Sequence, residues 1–298
     1  MSRQTALELS LVADALSLGP HWIYQAERLS SLYPEGLPTF DAPRSHYHPG
    51  KTAGDFTHYG DQALLLLQSL AQKGSWDLGT FREQWSTFWR DSQAYRDGAT
   101  TDTLKNLEAG QLTGSSSRDL AGAARIAPLI VLPGLSLEDR VQAARAQCAM
   151  THNQAPVLDA AEFFVRATEA ILAGDDFRSA FQTAHRIDYP ALPLAEWTAK
   201  AESVLALPPQ EALRQLGLAC SLSDAFPAVL AIALQLEERP QECLAQNALA
   251  GGDSAARGLL LGLLLGAKHG ETGVPSHWFE DYTAAAEVKR LLSLLSPA

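Results

Sequence analysis

Residues 247–270, Asn-Ala-Leu-Ala-Gly-Gly-Asp-Ser-Ala-Ala-Arg-Gly-Leu-Leu-Leu-Gly-Leu-Leu-Leu-Gly-Ala-Lys-His-Gly, restrict the fold of this chain more than any other stretch. Gly258, Gly262 and Gly266 recur every four residues inside an apolar run, so a helix through them carries all three on one face. Glycine in a helix interior costs about 1 kcal/mol relative to alanine. Three at this spacing call for a packing reason, a neighbouring helix that comes unusually close. Gly251 and Gly252 give a flexible approach, Asp253 or Ser254 can cap the first free amides, and Lys268 and His269 suit the C-terminal end before Gly270. The apolar run is too short to span a bilayer, so the pattern predicts a core helix rather than a membrane segment.

Helical periodicity continues along the chain. It marks residues 5–18, 61–70, 81–95, 119–132, 136–149, 156–173, 223–236 and 281–295, while 175–218 reads as two or three short amphipathic helices broken by prolines. Thr100-Thr101-Asp102-Thr103 offers an N-cap for a short helix to Gly110, and Ser136-Leu-Glu-Asp has the form of a capping box. Valine and isoleucine are scattered, alternation is not sustained and no Asn-Gly turn occurs, so the fold is predicted to be all-α. The chain has 298 residues, 46% of them hydrophobic, with no fixed-period repeat and no low-complexity linker. These features predict one compact orthogonal helical bundle over residues 1–298.

The charge balance narrows the partners. With 23 basic against 34 acidic residues, a net charge of -11 and no basic run to follow a phosphate backbone, nucleic acid is not an expected partner. Cys148, Cys220 and Cys243 stand far apart without a C-x-x-C pair, which predicts neither a disulfide framework nor a zinc site and fits a reducing cytoplasm. Glu8 and Asp14 interrupt the early apolar segment, and no signal peptide is expected. Residues 33–57, rich in Pro, Gly, His and Asp, form the longest stretch without periodicity and are a candidate lid or pocket wall.

Four polar junctions fall at helix entrances: 55–61, 100–103, 151–153 and 251–257. Each taken alone is accounted for by plain N-capping, and together they can form a site where helices converge. Here the residues resemble the ADP-ribosylglycohydrolase family, which includes the J1 crystallins. Ala250-Gly-Gly-Asp-Ser-Ala-Ala-Arg-Gly, with Leu265-Gly266-Ala267 and Gly273-Val-Pro-Ser-His-Trp278, is similar to that family's C-terminal signature. Ala13-Asp14-Ala15-Leu16, Gly60-Asp61-Gln62, Ala124-Arg125-Ile126-Ala127-Pro128, Thr151-His152 and Ala225-Phe-Pro-Ala-Val-Leu resemble other family blocks, in the family's order over almost the whole chain.

The resemblance implies an all-α orthogonal bundle, two Mg²⁺ ions in active members, and hydrolysis of a bond linking ADP-ribose to a protein side chain or another ribose. The ligands for two ions are mostly missing. Tyr59, Gly60, Asp61 and Gln62 stand for the early Thr-Asp-Asp-Thr, and Asp253, Ala255 and Ala256 for the late Asp, Asp and Thr. Asp61 and Asp253 remain, enough for one Mg²⁺ at most. The expected function is a divergent hydrolase cleaving an N- or O-glycosidic bond of an ADP-ribosyl or related substrate. The alternative is a non-catalytic nucleotide-binding module or a crystallin-like structural protein. Asp61, His58, Asp253 and Arg257 are the catalytic candidates, with Arg257 pairing with Asp253 at (i, i+4) or clamping a phosphate. His58 can act as acid or base, or lie as a solvent-exposed loop histidine. Asp14, Tyr59, Gln62, Thr151, His152, Asn153, Gly251, Gly252 and Ser254 are the candidate substrate contacts, and Trp22, Tyr24 and Tyr47 join Tyr59 as rings able to stack an adenine.

Overall fold

The computed structural model describes residues 2–37 and 39–296. Among these the regular structure is helical, and strand pairing is limited to two isolated bridges, Ser115 with His152 and Asp119 with Ser221. Among the described residues, no helix is long and apolar enough to cross a membrane.

The glycine-faced element is the helix Ser254–His269, and its partner is the first helix, Arg3–Ser17. The two run antiparallel. A Cβ on Gly266 would lie 2.6 Å from the Thr5 carbonyl oxygen, one on Gly262 would lie 2.2 Å from that of Leu9, and one on Gly258 would lie 3.0 Å from that of Ala13. The backbone of the first helix therefore fills the volume that side chains would otherwise take, which accounts for the four-residue glycine spacing. Polar groups on the same seam are satisfied across it: the Ser10 hydroxyl donates to the Leu259 carbonyl at 2.7 Å. Around this pair pack Ala155–Ala173, Leu222–Leu236 and Pro240–Ala250, each through an apolar face. Pro227 lies inside Leu222–Leu236, past its first turn, so the Ser223 carbonyl lacks its i+4 amide partner although the helix continues. One cluster of buried apolar side chains extends from Ala6 to Leu295.

Several boundaries differ from the periodicity. The segment 119–132 forms two short helices, Ala121–Ala124 and Ala127–Val131, because the backbone breaks at Arg125 and Ile126 where the Arg125 side chain turns inward. The short helix Gly98–Glu108 is capped by Asp97, whose carboxylate accepts the Thr100 amide at 2.7 Å, not by Thr100 to Thr103. Ser136 and Asp139 do form the capping box. The last expected helix, 281–295, starts at Ala285 and runs to Leu295, with a separate short helix, Trp278–Asp281, before it. The segment 33–57 is irregular over its described residues, as its composition suggests, and brings His48 and Lys51 inward.

Candidate active site

The start of Ser254–His269 is built by two glycines in left-handed backbone, Gly251 at φ 73° and Gly252 at φ 59°. The surface they open is used by the chain itself. The Gly252 amide donates to the Ile23 carbonyl at 2.9 Å, the Trp22 amide donates to the Gly252 carbonyl at 2.8 Å, and the Asp253 amide donates to the Leu218 carbonyl at 2.9 Å. Trp22 is the one non-glycine residue at positive φ among the described residues, 60°, and the turn lays its ring on His21 with centroids 4.4 Å apart.

Arg257 is fully buried and holds this turn together. Its Nε donates to Asn247 Oδ1 at 2.9 Å and its Nη2 to the Gly251 carbonyl at 2.7 Å, while Asn247 Nδ2 donates to the Ser254 carbonyl at 2.9 Å. It forms no ion pair with Asp253, so the expected (i, i+4) bridge is replaced by a brace on the helix start. Burial lowers its pKa to about 10 despite the neighbouring Asp253 charge. Nor do Asp253 or Ser254 cap the helix: Ala255 donates its amide to His21 Nδ1 at 3.4 Å instead. Asp253 is left fully buried with both carboxylate oxygens free of hydrogen bonds, and the Ser254 hydroxyl is likewise unpartnered. The His21 ring, kept neutral by burial, has its Nε2 3.7 Å from Asp253 Oδ1. Burial raises Asp253 to about 7, against the pull of Arg257.

The entrance of His58–Lys73 supplies the facing wall. Thr57 caps it, accepting the Tyr59 amide on its hydroxyl oxygen at 3.1 Å, and is itself fixed by Asp14, which accepts the Thr57 amide and hydroxyl at 2.7 Å each. A Cβ on Gly60 would lie 2.3 Å from Asp14 Oδ2, so the Asp14 carboxylate occupies the space next to a position where the family pattern has an aspartate. Asp61 is chelated by Lys51, whose Nζ donates at 2.7 Å and 2.8 Å to its two oxygens. Burial raises the Asp61 pKa and Lys51 lowers it.

These residues do not fit a binuclear Mg²⁺ centre. A lysine ammonium already fills the cation position on Asp61, Gly60, Ala255 and Ala256 offer no side-chain oxygen, and Asp14 spends both oxygens on Thr57. Among the described residues, no converging group of three His, Cys, Asp or Glu side chains includes Asp61 or Asp253.

His58 is fully buried as the first residue of its helix, not solvent-exposed. Its Nδ1 meets His48 Nε2 at 3.1 Å and its Nε2 lies 3.4 Å from Asp97 Oδ2. Burial opposes the charged form of Asp97, but the His58 ring and Thr100 hold its pKa below the usual carboxylate range. Tyr59, buried beside Asp253, is pushed well above an ordinary phenol by burial and then by that carboxylate. Gln62 accepts hydrogen bonds from Trp85 Nε1 at 2.9 Å and from Arg125, which also donates to the Thr151 hydroxyl; Thr151 in turn meets His152 Nδ1 at 2.9 Å. Burial and Arg125 lower His152 to about 3, so it is neutral at pH 7. Asn153 stands apart, exposed and bonded to the Thr113 hydroxyl at 2.9 Å. Trp22, Tyr47 and Tyr95 form a half-buried aromatic wall with centroids 4.6 to 5.6 Å apart, whereas Tyr24 is 49% exposed. Lys51, His48, Asp97 and Tyr95 were not singled out from the sequence. Only Asp97 left a local signal there, an acidic residue directly before a helix start.

One prediction concerns Asp14. Burial raises its pKa from 3.8 to about 7, with the Thr57 hydrogen bonds and Lys51 lowering it and Asp61 raising it further. Because the folded value exceeds the unfolded one, stability from the protonated form is complete below about pH 4 and is lost as pH rises towards 7. Asp14→Asn keeps an acceptor for the Thr57 amide and removes this loss. The melting temperature of the variant relative to the unsubstituted protein should therefore rise from pH 5 to about pH 7 and level off above it; a constant difference across that range would reject the account.

Comparisons with known proteins agree with this architecture. A solved structure described as an "ADP-ribosylglycohydrolase-related protein complex" superposes with a TM-score of 0.67 at 22% identity, covering 98% of this chain and 96% of that one, a likeness of fold. Crystallin J1A of Tripedalia cystophora is 23% identical over 98% of this chain and 95% of its own length. Crystallin J1B of the same organism is 24% identical over 96% and 93%. The family model for ADP-ribosylglycohydrolase matches residues 5–297, and with almost the whole chain so covered, the protein belongs to the ADP-ribosylglycohydrolase family.

Proposed function

We propose that the protein hydrolyses an N- or O-glycosidic bond of an ADP-ribosyl substrate without the two-Mg²⁺ centre expected of active relatives. The observation that carries this reading is Asp253, a fully buried carboxylate with no hydrogen bond to either oxygen, at the start of the signature helix. A structural carboxylate in that position would be paired, because an unmet buried charge costs several kcal/mol (roughly 3–5 by mutation of one partner). In this scheme Asp253 transfers a proton at the scissile bond, the Lys51 ammonium, held by Asp61, donates its remaining N–H to a phosphate, and the wall of Trp22, Tyr47 and Tyr95 stacks the adenine. Asp61 acts by holding Lys51 in place, and Arg257 by fixing the Asp253 turn.

The second reading, a ligand-binding or crystallin-like protein without turnover, is favoured by one specific feature: Lys51 neutralises Asp61 and leaves it no role as a free base or metal ligand. A turnover assay separates the two. Mono-ADP-ribosylated protein, poly-ADP-ribose and O-acetyl-ADP-ribose are incubated with the protein, with and without added Mg²⁺, and free ADP-ribose is measured. Release from at least one substrate, unchanged by Mg²⁺, is expected. No release from all three favours the non-catalytic reading, and release strictly dependent on Mg²⁺ overturns the metal assignment.

A further inference from the structure

Three histidines from three separate segments meet beside Asp253. His21 follows the first helix, His48 comes from the irregular 33–57 segment and His58 opens His58–Lys73, and each is at most 3% exposed. One ring nitrogen of each lies within 4.8 Å of the others, and the ring centroids are 5.3, 5.5 and 6.3 Å apart. We propose that His21, His48 and His58 form a binding site for one borderline divalent transition metal of the Zn²⁺ class, backed by the carboxylates of Asp253 and Asp97.

The donor geometry supports this assignment. In a tetrahedral site with metal–nitrogen bonds near 2.05 Å, ligand nitrogens are about 3.3 Å apart. His48 Nε2 and His58 Nδ1 already stand 3.1 Å apart. The third nitrogen lies within 4.8 Å, so the His21 ring needs to close by at most about 1.5 Å to reach that spacing.

The groups behind the rings fit as well. A neutral imidazole that binds a metal through one nitrogen carries its proton on the other, and a carboxylate there fixes the tautomer. His58 Nε2 faces Asp97 Oδ2 at 3.4 Å, which leaves Nδ1 for the metal. His21 Nε2 faces Asp253 Oδ1 at 3.7 Å, which puts the proton there; the Nδ1 lone pair now accepts the Ala255 amide at 3.4 Å and must turn from that amide to reach the metal. The nitrogens His21 Nε2, His48 Nδ1 and His58 Nε2, together with both Asp253 oxygens, are buried without a hydrogen-bond partner. A divalent ion within the trio would draw these protons towards the carboxylates and supply the counter-charge that Asp253 lacks. Imidazole donors select Zn²⁺ or Co²⁺ over Mg²⁺, which prefers oxygen. Metal binding here is independent of whether the protein turns over an ADP-ribosyl substrate, and its test contains no substrate.

Untagged, metal-free protein is titrated with Co²⁺ and followed by visible absorption, and Zn²⁺ is then added in competition. The expected result is one equivalent of Co²⁺ per chain with the intense d–d bands of a four- or five-coordinate site, displaced by Zn²⁺ and not by millimolar Mg²⁺. His48→Gln, which alters the irregular segment and not a helix, should weaken binding at least 100-fold while the melting temperature of the metal-free protein stays close to wild type. Asp97→Asn should weaken it 10- to 100-fold by loosening His58. No d–d spectrum in the wild type would overturn the proposal. So would a wild-type spectrum that survives in both His48→Gln and His58→Gln, since the metal would then be bound elsewhere.

Discussion

Asp253→Asn is expected to lower ADP-ribose release by about 10²–10⁴-fold, the range associated with removing a positioned proton-transfer group, without lowering stability. Asparagine has the same shape and keeps the Asp253 amide's bond to Leu218, but it cannot exchange a proton near neutral pH. Its effect on the fold should be neutral or favourable. The carboxylate it replaces is fully buried, accepts no hydrogen bond and forms no direct ion pair with Arg257, so the substitution removes an unmet charge. Initial rates and thermal denaturation of the same preparation provide the two readouts. Activity within twofold of wild type would remove Asp253 from the mechanism. A large loss of melting temperature would make it a structural residue.

Gly262→Val is expected to damage the fold more than any other single change at the helix seam. The new Cβ would lie 2.2 Å from the Leu9 carbonyl oxygen, 2.7 Å from the Leu9 carbonyl carbon and 2.7 Å from Ser10 Cα. All three are backbone atoms, so no side-chain rotation relieves the clash and the two helices must separate. Overpacking of a core costs about 1–3 kcal/mol and occasionally more, and valine adds γ-methyls to an already blocked site. Gly262→Ala gains about 1 kcal/mol in helix propensity and should still be destabilising on balance. Gly258→Ala is the control: its nearest neighbours stand 3.0 Å away and one of them is the Ser17 hydroxyl, which can rotate. It should change stability by less than about 1 kcal/mol, a shift of about 2–4 °C or less in a chain of this size class. Equal melting temperatures for the two alanine variants would contradict the seam geometry.

The seam shows what a sequence can and cannot reveal. Gly258, Gly262 and Gly266 announce a close helix partner through their spacing alone, because helix periodicity is local. Nothing in that spacing identifies Arg3–Ser17 as the partner. The candidate site is harder to read for the same reason. Asp61 and Asp253 are visible because they remain inside a recognisable motif pattern, but Lys51 and His48 come from an irregular segment whose composition carries no period and whose pairing with helix residues depends on the finished fold. Gly251, Gly252 and Arg257 illustrate a different limit. Their residue types suit a ligand site and a self-packed turn equally well, and only the bonds to Ile23, Leu218 and Asn247 distinguish the two. Asp97 was within reach, since an aspartate before Gly98 is a better cap than the threonines after it.

The pairing of Arg3–Ser17 with Ser254–His269 also bears on how the protein is made. The Ser10 to Leu259 hydrogen bond joins residues 249 positions apart, so the central seam of the core cannot close until the intervening chain exists. At about 5–20 residues per second, a ribosome needs roughly 10–50 s to supply that length. During this interval the first helix, buried along almost its entire length in the finished protein, has no native surface to cover it. The same long separation raises the contact order and slows closure once synthesis is done. Residues 5–17 thus stay uncovered through most of synthesis, and the narrow glycine groove that later receives them becomes available only shortly before the two closing helices complete the core.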